Sequence, residues 1–480
     1  MRRAFFVSAL VSVAAVAHGF AQVTPQGPAF QVSSQPASDH YPDVAIAPSG
    51  EFVVVWSRIG ADGDSYGLLG RRFDSLGNPI GGDFQVNAFT AGSQNRPKVA
   101  MNGSGEFLVV WESIGQDAPS SIGVFGQRFD ASGARVGPEF QVSDTSVGSQ
   151  LSPTVSSDRQ DDFIVAWENL QFSPTHAEIV TRRFDGVTQT LGPELVVSDE
   201  SLASQYLDPA VAMDGSGGFV VVWGRHVPSN YNYTLLYGRR FDPAGQPAGG
   251  EFVVTPLDPT QVAGNYETRI DMNAAGDFVV AWERQLDGVA QKLLVRPFDP
   301  NAVPRSDQVL LVYGGVRDRP DVAVASDATF VAAWNDEPGV RAQRFTASGS
   351  RLGSEALVDP NHGSLRVGPA IDAHVSGSLL VAWTPGGTYA RQYLSSCAPP
   401  GVPGLSLELV NGGADIHMTW TDVVNAQEYA VFESELPGGG FTTQTGTATT
   451  GATGLTVPAP ATNRLYLVAG KGLCGFGPLR

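Results

Sequence analysis

Cysteine is nearly absent from this chain: 480 residues hold two, Cys397 and Cys474. That excludes a disulfide-dense scaffold and a multi-cysteine metal cluster. Histidine is scarce as well, seven in all, and none forms an HExxH or other closely spaced ligand pair, so a zinc site has no support. No Gly-rich phosphate loop occurs. Charged residues are only 16% of the chain and mostly acidic, giving a formal net charge of -18. A surface of that sign repels phosphate backbones and anionic lipid, which argues against nucleic-acid and membrane partners. No segment sustains a 3.6-residue apolar period, so helices are not expected.

The one long apolar run lies at the N-terminus. Arg2 and Arg3 precede an apolar stretch from Phe5 to Ala17, and Gly19-Phe20-Ala21 offers small residues at positions −3 and −1. Residues 1–21 therefore read as a secretory signal cleaved before Gln22, too short to span a bilayer, with 22–29 as a linker. The expected location is secreted, periplasmic or extracellular. Loss of Arg2 and Arg3 with the signal takes the charge from -18 to -20. In such an oxidising compartment Cys397 and Cys474 are expected to pair, and a bridge closing so long a loop contributes about 4 kcal/mol in the chain-entropy model.

What is abundant is Gly (56), Pro (33) and a β-rich apolar set within 42% hydrophobic residues. Seven times the chain writes an apolar run ending in Trp: Phe52 to Trp56, Phe107 to Trp111, Phe163 to Trp167, Phe219 to Trp223, Phe278 to Trp282, Phe330 to Trp334 and Leu379 to Trp383. The Trp-to-Trp steps are 55, 56, 56, 59, 52 and 49 residues. A period near fifty in a β-rich chain signals a radial or solenoid array. Each copy contains a Pro-led strand (Pro42 to Ile46 in the first), a Gly turn, the Trp run, an Arg/Gln-aromatic strand (Arg71-Arg72-Phe73-Asp74), a second Gly/Pro turn and a fourth strand (Phe84 to Asn87). Pro suits the first residue of a strand, and Gly the tight turns.

The seventh copy stops after its third strand at Leu394, and a spare fourth strand, Phe30 to Ser33, precedes the first copy. That offset closes a ring, whereas an open solenoid would gain nothing from it. The chain from 30 to 396 resembles a seven-bladed β-propeller with four-stranded blades, an architecture that leaves only short, protected edges. It lacks the Gly-His…Trp-Asp signature of WD40 repeats and the kelch pattern. It is similar to the Phe-Val-Val-Val-Trp repeats of secreted bacterial proteins. After Pro399-Pro400-Gly401-Val402-Pro403-Gly404, residues 397–480 alternate as strands, and Trp420, Tyr429 and Tyr466 resemble a fibronectin type III sandwich. The fold class is thus all-β, a propeller followed by a small β-sandwich. A spacer or adhesion role is what that second resemblance implies.

In a propeller, the strand 2–3 and 4–1 connections open on one face. These vary here while the others are uniform Gly turns, so this face is the candidate binding surface. The gap from Trp to the Arg/Gln strand is 14 to 16 positions in blades one to five but 9 and 8 in blades six and seven, which predicts a lopsided rim. The richest 2–3 connection, in blade four, holds Arg225, His226, Asn230, Tyr231, Asn232 and Tyr233. Its tyrosines suit stacking on sugar or Pro-rich peptide, and its Asn and Arg suit hydroxyls or carboxylates. The 4–1 connections add His40, Tyr41, Asn95, Arg96, Tyr206, Asp208, Asn265, Tyr266, Glu267, Arg317, Asp318 and Arg319.

Asp62 and Asp64 alternate as in a small calcium loop, without the later Glu of an EF-hand. Calcium is the one cofactor with any motif; otherwise none is expected. Gly63-Asp64-Ser65-Tyr66-Gly67 matches a hydrolase elbow by chance, since it joins β-strands and no α/β sheet is present. The recurring Arg72, Arg128, Arg183, Arg240 and Arg344 keep step with the blade. They read as structural, pairing with carboxylates such as Asp74 or stacking on aromatics, and not as an anion ring. The leading functional reading is a secreted, monomeric, non-enzymatic binding or scaffold protein for a protein or glycan. A glycosidase or lyase acting at the central channel is the rival, and a lectin the third reading. Two or more carboxylates together at the channel mouth would favour the enzyme.

Overall fold

In the computed structural model, the described residues are 24–394 apart from short connecting segments (26, 36–37, 120, 145–146, 159, 174–175, 199–205, 228–229, 257–262, 287–289, 314–318, 337–338, 360–367, 374–377 and 385–386), together with the backbone of six strands between 405 and 471. The chain divides into two compact units, one of which spans Gln22–Ser395. That unit consists of seven antiparallel four-stranded meanders, and no helix occurs among the described residues. Blade one is Asp39–Ile46, Phe52–Ile59, Tyr66–Phe73 and Pro79–Gln85. Blade four is Tyr206–Met213, Phe219–Val227, Asn230–Phe241 and Phe252–Val253.

Blade seven closes the ring. Its own strands are Ala370–Ala373, Ser378–Trp383 and Tyr389–Leu394. The N-terminal chain supplies the fourth, with Phe30 opposite Ala390 and Gln31 opposite Tyr389. The closure extends further than the sequence implied: Thr24–Pro25 also pairs with this strand, so part of the expected 22–29 linker is strand. Thr388, between the two partners, donates its N–H to Ser33 Oγ (3.2 Å) and to Asp39 Oδ2 (2.9 Å).

The repeated residues form the core. All seven Trp of the repeat are at most 1% exposed, and the Trp runs are buried on both faces. Each Trp packs into the seam with the preceding blade, as Trp111 does against Val53, Val55, Leu68 and Val86. The Phe that opens the Trp run and the Phe of the Arg-rich strand face each other across the pair, Phe52 opposite Phe73. Their rings stack at 4.7–4.9 Å in blades one, two, four, five and six. Two motifs 21 residues apart in blade one are thus one aromatic contact.

Polar ties sew blade to blade. In five blades an Arg of the third strand donates to a carbonyl of the preceding blade's fourth strand: Arg71 to Val32, Arg182 to Val142, Arg239 to Val197, Arg296 to Val254 and Arg391 to Val358, at 2.7–3.4 Å. Blades two and six carry Gln127 and Gln343 at that position. There an Arg eight residues later takes over, Arg135 reaching Gln85 O and Arg351 reaching Leu311 O, each 2.9 Å. The Asp of the signature has a different role from the one expected. Asp74 Oδ1 accepts from the N–H of Leu76 (2.9 Å) and Asn78 (2.8 Å), capping its own turn. Arg72 instead reaches the carbonyls of Ala131 and Ser132 in the next blade.

In the C-terminal part, Leu405–Val410, Asp415–Trp420 and Gly454–Pro458 form one three-stranded antiparallel sheet. Thr443–Thr449, Glu428–Ser434 and Leu465–Lys471 form another. Cys397 and Cys474, the expected disulfide pair, lie outside the described residues, as does the expected signal peptide.

Candidate functional site

The innermost strand begins with an irregularity in five of the seven blades. In blades one to five its pairing with the Trp strand slips, between His40 and Asp43, Asn95 and Lys98, Leu151 and Thr154, Leu207 and Ala210, and Tyr266 and Arg269. Such bulges re-aim a side chain. At the bulge, Tyr41, Arg96, Ser152, Asp208 and Glu267 have φ of 50, 53, 52, 46 and 51°, and Arg319 in blade six has 51°. This left-handed region disfavours a side chain, and strain of this kind concentrates at binding and catalytic sites. Blade seven has Gly368, where a Cβ would fall 2.2 Å from that of Arg319. Six of the seven bulge residues precede Pro; only blade five departs, with Thr268.

These residues line one end of the central channel, around a cavity of about 120 Å³. A second cavity of about 150 Å³ continues down the channel and shares Lys98, Thr154, Arg269 and Ile270 with the first. Below the mouth, inner-strand aspartates tie neighbouring blades. Asp43, Asp271, Asp321 and Asp372 accept the N–H of Val99, Val324, Ile371 and Ile46, at 2.6–3.0 Å. The lower channel is therefore occupied by structural work.

At the mouth, charges of both signs interleave. Arg96 pairs with Glu112 (3.7 Å), whose Oε1 also accepts the N–H of Ser152 (2.8 Å). Arg319 Nε lies 3.3 Å and Arg269 Nη2 3.7 Å from the Glu267 carboxylate. Lys98 pairs with Asp43 at 2.8 Å. The guanidinium groups of Arg96 and Arg319 flank the Tyr41 ring at 5.6 and 4.9 Å. Burial acts to raise the Glu267 carboxyl, but Arg269, Arg319 and Arg96 outweigh it and hold the group ionised below its ordinary range. Burial raises Asp208, and the negative charge of Glu267 adds to this. Glu168, 5% exposed, is pushed up to about 8 by burial and by the nearby Asp208 and Glu112. Carboxyls whose environments push them apart are what acid–base chemistry requires.

Thr268 adds a second kind of signal. It lines the cavity and is 1% exposed, and its hydroxyl has no hydrogen-bond partner within the protein. Blade five thus replaces a proline, which has no side-chain polarity, with a cavity-lining threonine whose hydroxyl is buried.

The walls around the mouth are uneven, as the connection lengths predicted. In blade three the strands Phe163–Ser173 and His176–Asp185 extend the hairpin, and blade four is similar. In blade six they are only Phe330–Asp336 and Gly339–Phe345.

The residues singled out in blade four are placed differently from expectation. Asn230, Tyr231 and Tyr233 lie in strand, not loop, because Asn-Tyr-Asn-Tyr-Thr continues the two-residue alternation and only 228 and 229 separate the paired strands. Their side chains, and that of Tyr206 at the start of its strand, lie outside the described set. Arg225 stacks on Tyr237 (3.5 Å to the centroid) and pairs with Glu251 (3.1 Å). His226 is buried, with Nδ1 3.2 Å from Thr234 Oγ1. Tyr266 covers Gly264, where a Cβ would meet its ring at 2.2 Å. Arg225 and His226 thus engage partners within blade four, and Tyr266 within blade five. Asp62 Oδ2 accepts from Asn87 Nδ2 (2.7 Å) and Asp64 Oδ2 from Gly92 N (2.9 Å), so both are engaged in holding their loop.

Tyr41, Arg96, Asp208, Glu267 and Arg319 stand among the variable 4–1 connections in sequence, with nothing local to set them above their neighbours. Glu112, Glu168, Ser152 and Thr268 were not singled out. Two signals were available: an acid directly after the apolar Trp run in blades two, three and five, and the one missing proline in blade five.

No protein-family model matches this chain, and no curated protein matches it. Solved structures do. A protein of unknown function from Dyadobacter fermentans is 12% identical, covering 78% of this chain and 99% of that one, with a TM-score of 0.48. The polysaccharide lyase Uly1 is 9% identical over 78% and 99%, with a TM-score of 0.49. A Penicillium chrysogenum α-L-arabinanase complexed with arabinobiose is 10% identical over 77% and 98%, with a TM-score of 0.45. At these identities the likeness is one of overall fold.

Proposed function

We propose that this chain is a secreted propeller that binds a saccharide at the mouth of its central channel, over blades four and five. The observation that carries this reading is Thr268: a hydroxyl buried in the cavity wall without a protein partner, beside Asp208 and Glu267. A buried polar atom of this kind is costly unless a ligand or water bonds it.

The chemistry of the mouth favours hydroxyls over other partners. Carboxylates and guanidinium groups both line it, so it offers acceptors and donors together and no strong field of one sign. Tyr41 supplies an aromatic face between two arginines. A cavity of about 120 Å³ takes part of one sugar ring and not a folded loop. The leader-like N-terminus and the two well-spaced cysteines support export.

Isothermal titration with neutral and uronate-containing oligosaccharides tests the reading. Binding is expected to weaken at least tenfold in Thr268→Val and Tyr41→Ala, with unchanged melting profiles. Equal affinity in both variants would remove the mouth as the site.

A further inference from the structure

We propose that the channel mouth hydrolyses a glycosidic bond, with Asp208 giving its proton to the departing oxygen and Glu267 taking a proton from the attacking water. The inference rests on the saccharide-binding reading above. It adds a reaction and two catalytic residues.

Three features of the geometry point here. First, Asp208 and Glu267 occupy the same bulge position in adjacent blades, and both line the one cavity. They are the only carboxylates of the six non-glycine bulge residues. Both are held in left-handed conformations that aim them inward, and the N–H of Glu267 lies 3.5 Å from Asp208 Oδ2. Second, their surroundings differ in the sense that an acid and a base require. Glu267 is clamped by Arg269 and Arg319 and stays ionised, while burial and then the charge of Glu267 raise Asp208. Asp208 and Glu168 interact, so they titrate as a pair; Asp208 is the member that reaches the cavity. Third, Thr268 follows the base in sequence and lines the same cavity, and its buried hydroxyl has no partner within the protein.

The step balances without any redox partner. The bond between the anomeric carbon and the bridging oxygen breaks, and its electron pair leaves with that oxygen. The oxygen takes the Asp208 proton and departs as an alcohol. Water forms the new bond to the anomeric carbon and loses its proton to Glu267. Exchange with solvent returns Asp208 to its acid form and Glu267 to its base form. Glu168 is a positioning residue: it is buried and coupled to Asp208, so that a charge on either carboxyl opposes a charge on the other.

The test uses the full chain with xylo-, manno-, gluco- and uronate-containing pentasaccharides, each labelled at the reducing end. Chain cleavage is followed by electrophoresis and binding by calorimetry. At least one pentasaccharide is expected to be cut. Asp208→Asn and Glu267→Gln should each lower kcat about 10²–10⁴-fold while binding persists. The rate against pH should be bell-shaped, and Asp208→Asn should remove its alkaline limb. Glu168→Gln should move that limb to lower pH, which a merely structural role would not do. Arg72→Lys, on a third strand that lines neither cavity, should leave the rate unchanged. Binding of intact sugar without cleavage would overturn hydrolysis and leave the binding reading standing; absence of any binding would overturn both. Products with an unsaturated sugar end would show elimination and overturn hydrolysis. Cleavage at the wild-type rate by folded Asp208→Asn and Glu267→Gln variants would overturn the assignment.

Discussion

The two ends of the central channel are built from the same seven strands and differ in almost every other respect. At one end lie the turns joining strands one to two and three to four. There Asp74, Asn102, Asp242 and Asn273 accept backbone N–H groups in near-identical geometry, and a Gly at positive φ finishes the turn. At the other end the bulge residue changes from Tyr to Arg, Ser, Asp, Glu, Arg and Gly around the ring. There a strained backbone is repeated blade after blade while the side chain is not. Strain kept under changing side chains marks a shared geometric purpose, the aiming of a group into the channel. A repeated polar cap with a left-handed residue at the end of the turn, Gly in most blades and Gln189, Ala302 or Ala328 in three turns, marks a purpose met inside each blade.

That contrast can be broken by substitution. Trp223→Ala, in the seam between blades three and four, is expected to cost about 3–5 kcal/mol, the ordinary range for losing a buried Trp. Chemical denaturation measures it, and a loss below about 1 kcal/mol would mean that the Trp series is not the core.

Glu168 lies just below the mouth and has the next largest effect, as a pH dependence. Its folded-state value of about 8 exceeds the ordinary 4.5, so its contribution to stability is full below about 4.5 and is lost as pH rises through 8. Glu168→Gln should flatten this slope, leaving the variant more stable than the parent at pH 9 by on the order of a few kcal/mol. Urea midpoints at pH 5 and pH 9 check it; parallel changes in both proteins would show that Glu168 ionises normally.

Asn102→Ala, in a turn of the uniform end, removes an acceptor for Ser104 and Glu106 and should cost about 1–2 kcal/mol without affecting sugar binding. Titration calorimetry on the folded variant tests the second half of that statement. The smallest effect is the most telling. Thr268→Pro restores the residue of the other six blades and should raise stability by about 0.4–1 kcal/mol, since Pro restricts the unfolded chain. It should also abolish binding at the mouth. A stable variant that still binds would dissolve the distinction between the two ends.

How much of this was legible beforehand follows from what each part depends on. The Trp runs, the Phe pairs and the Gly turns recur because each blade must bury the same seam. A period therefore exists to be read. The offset of Phe30 to Ser33 against the truncated seventh copy was likewise visible as a missing strand. The exchange of Arg for Gln at 127 and 343 was visible too, but its compensation by Arg135 and Arg351 was not. It depends on which side chains reach the neighbouring blade's carbonyls. Tyr-rich blade four attracted the search for a site because tyrosines look like contacts. In the structure Arg225 and His226 of blade four and Tyr266 of blade five contact residues of their own blades.

The sequence by itself determined the number of blades, the order of strands and the way the ring closes. These follow from local spacing and from the repeated need to bury apolar faces. Only the tertiary structure decided which residues meet. Asp208 and Glu267 are 59 positions apart, and Arg96 and Glu267 are 171 apart, yet both pairs share the rim of one cavity. Charges act through space and burial, so the ionisation of Glu168 or Glu267 is a property of the closed ring and of no single blade.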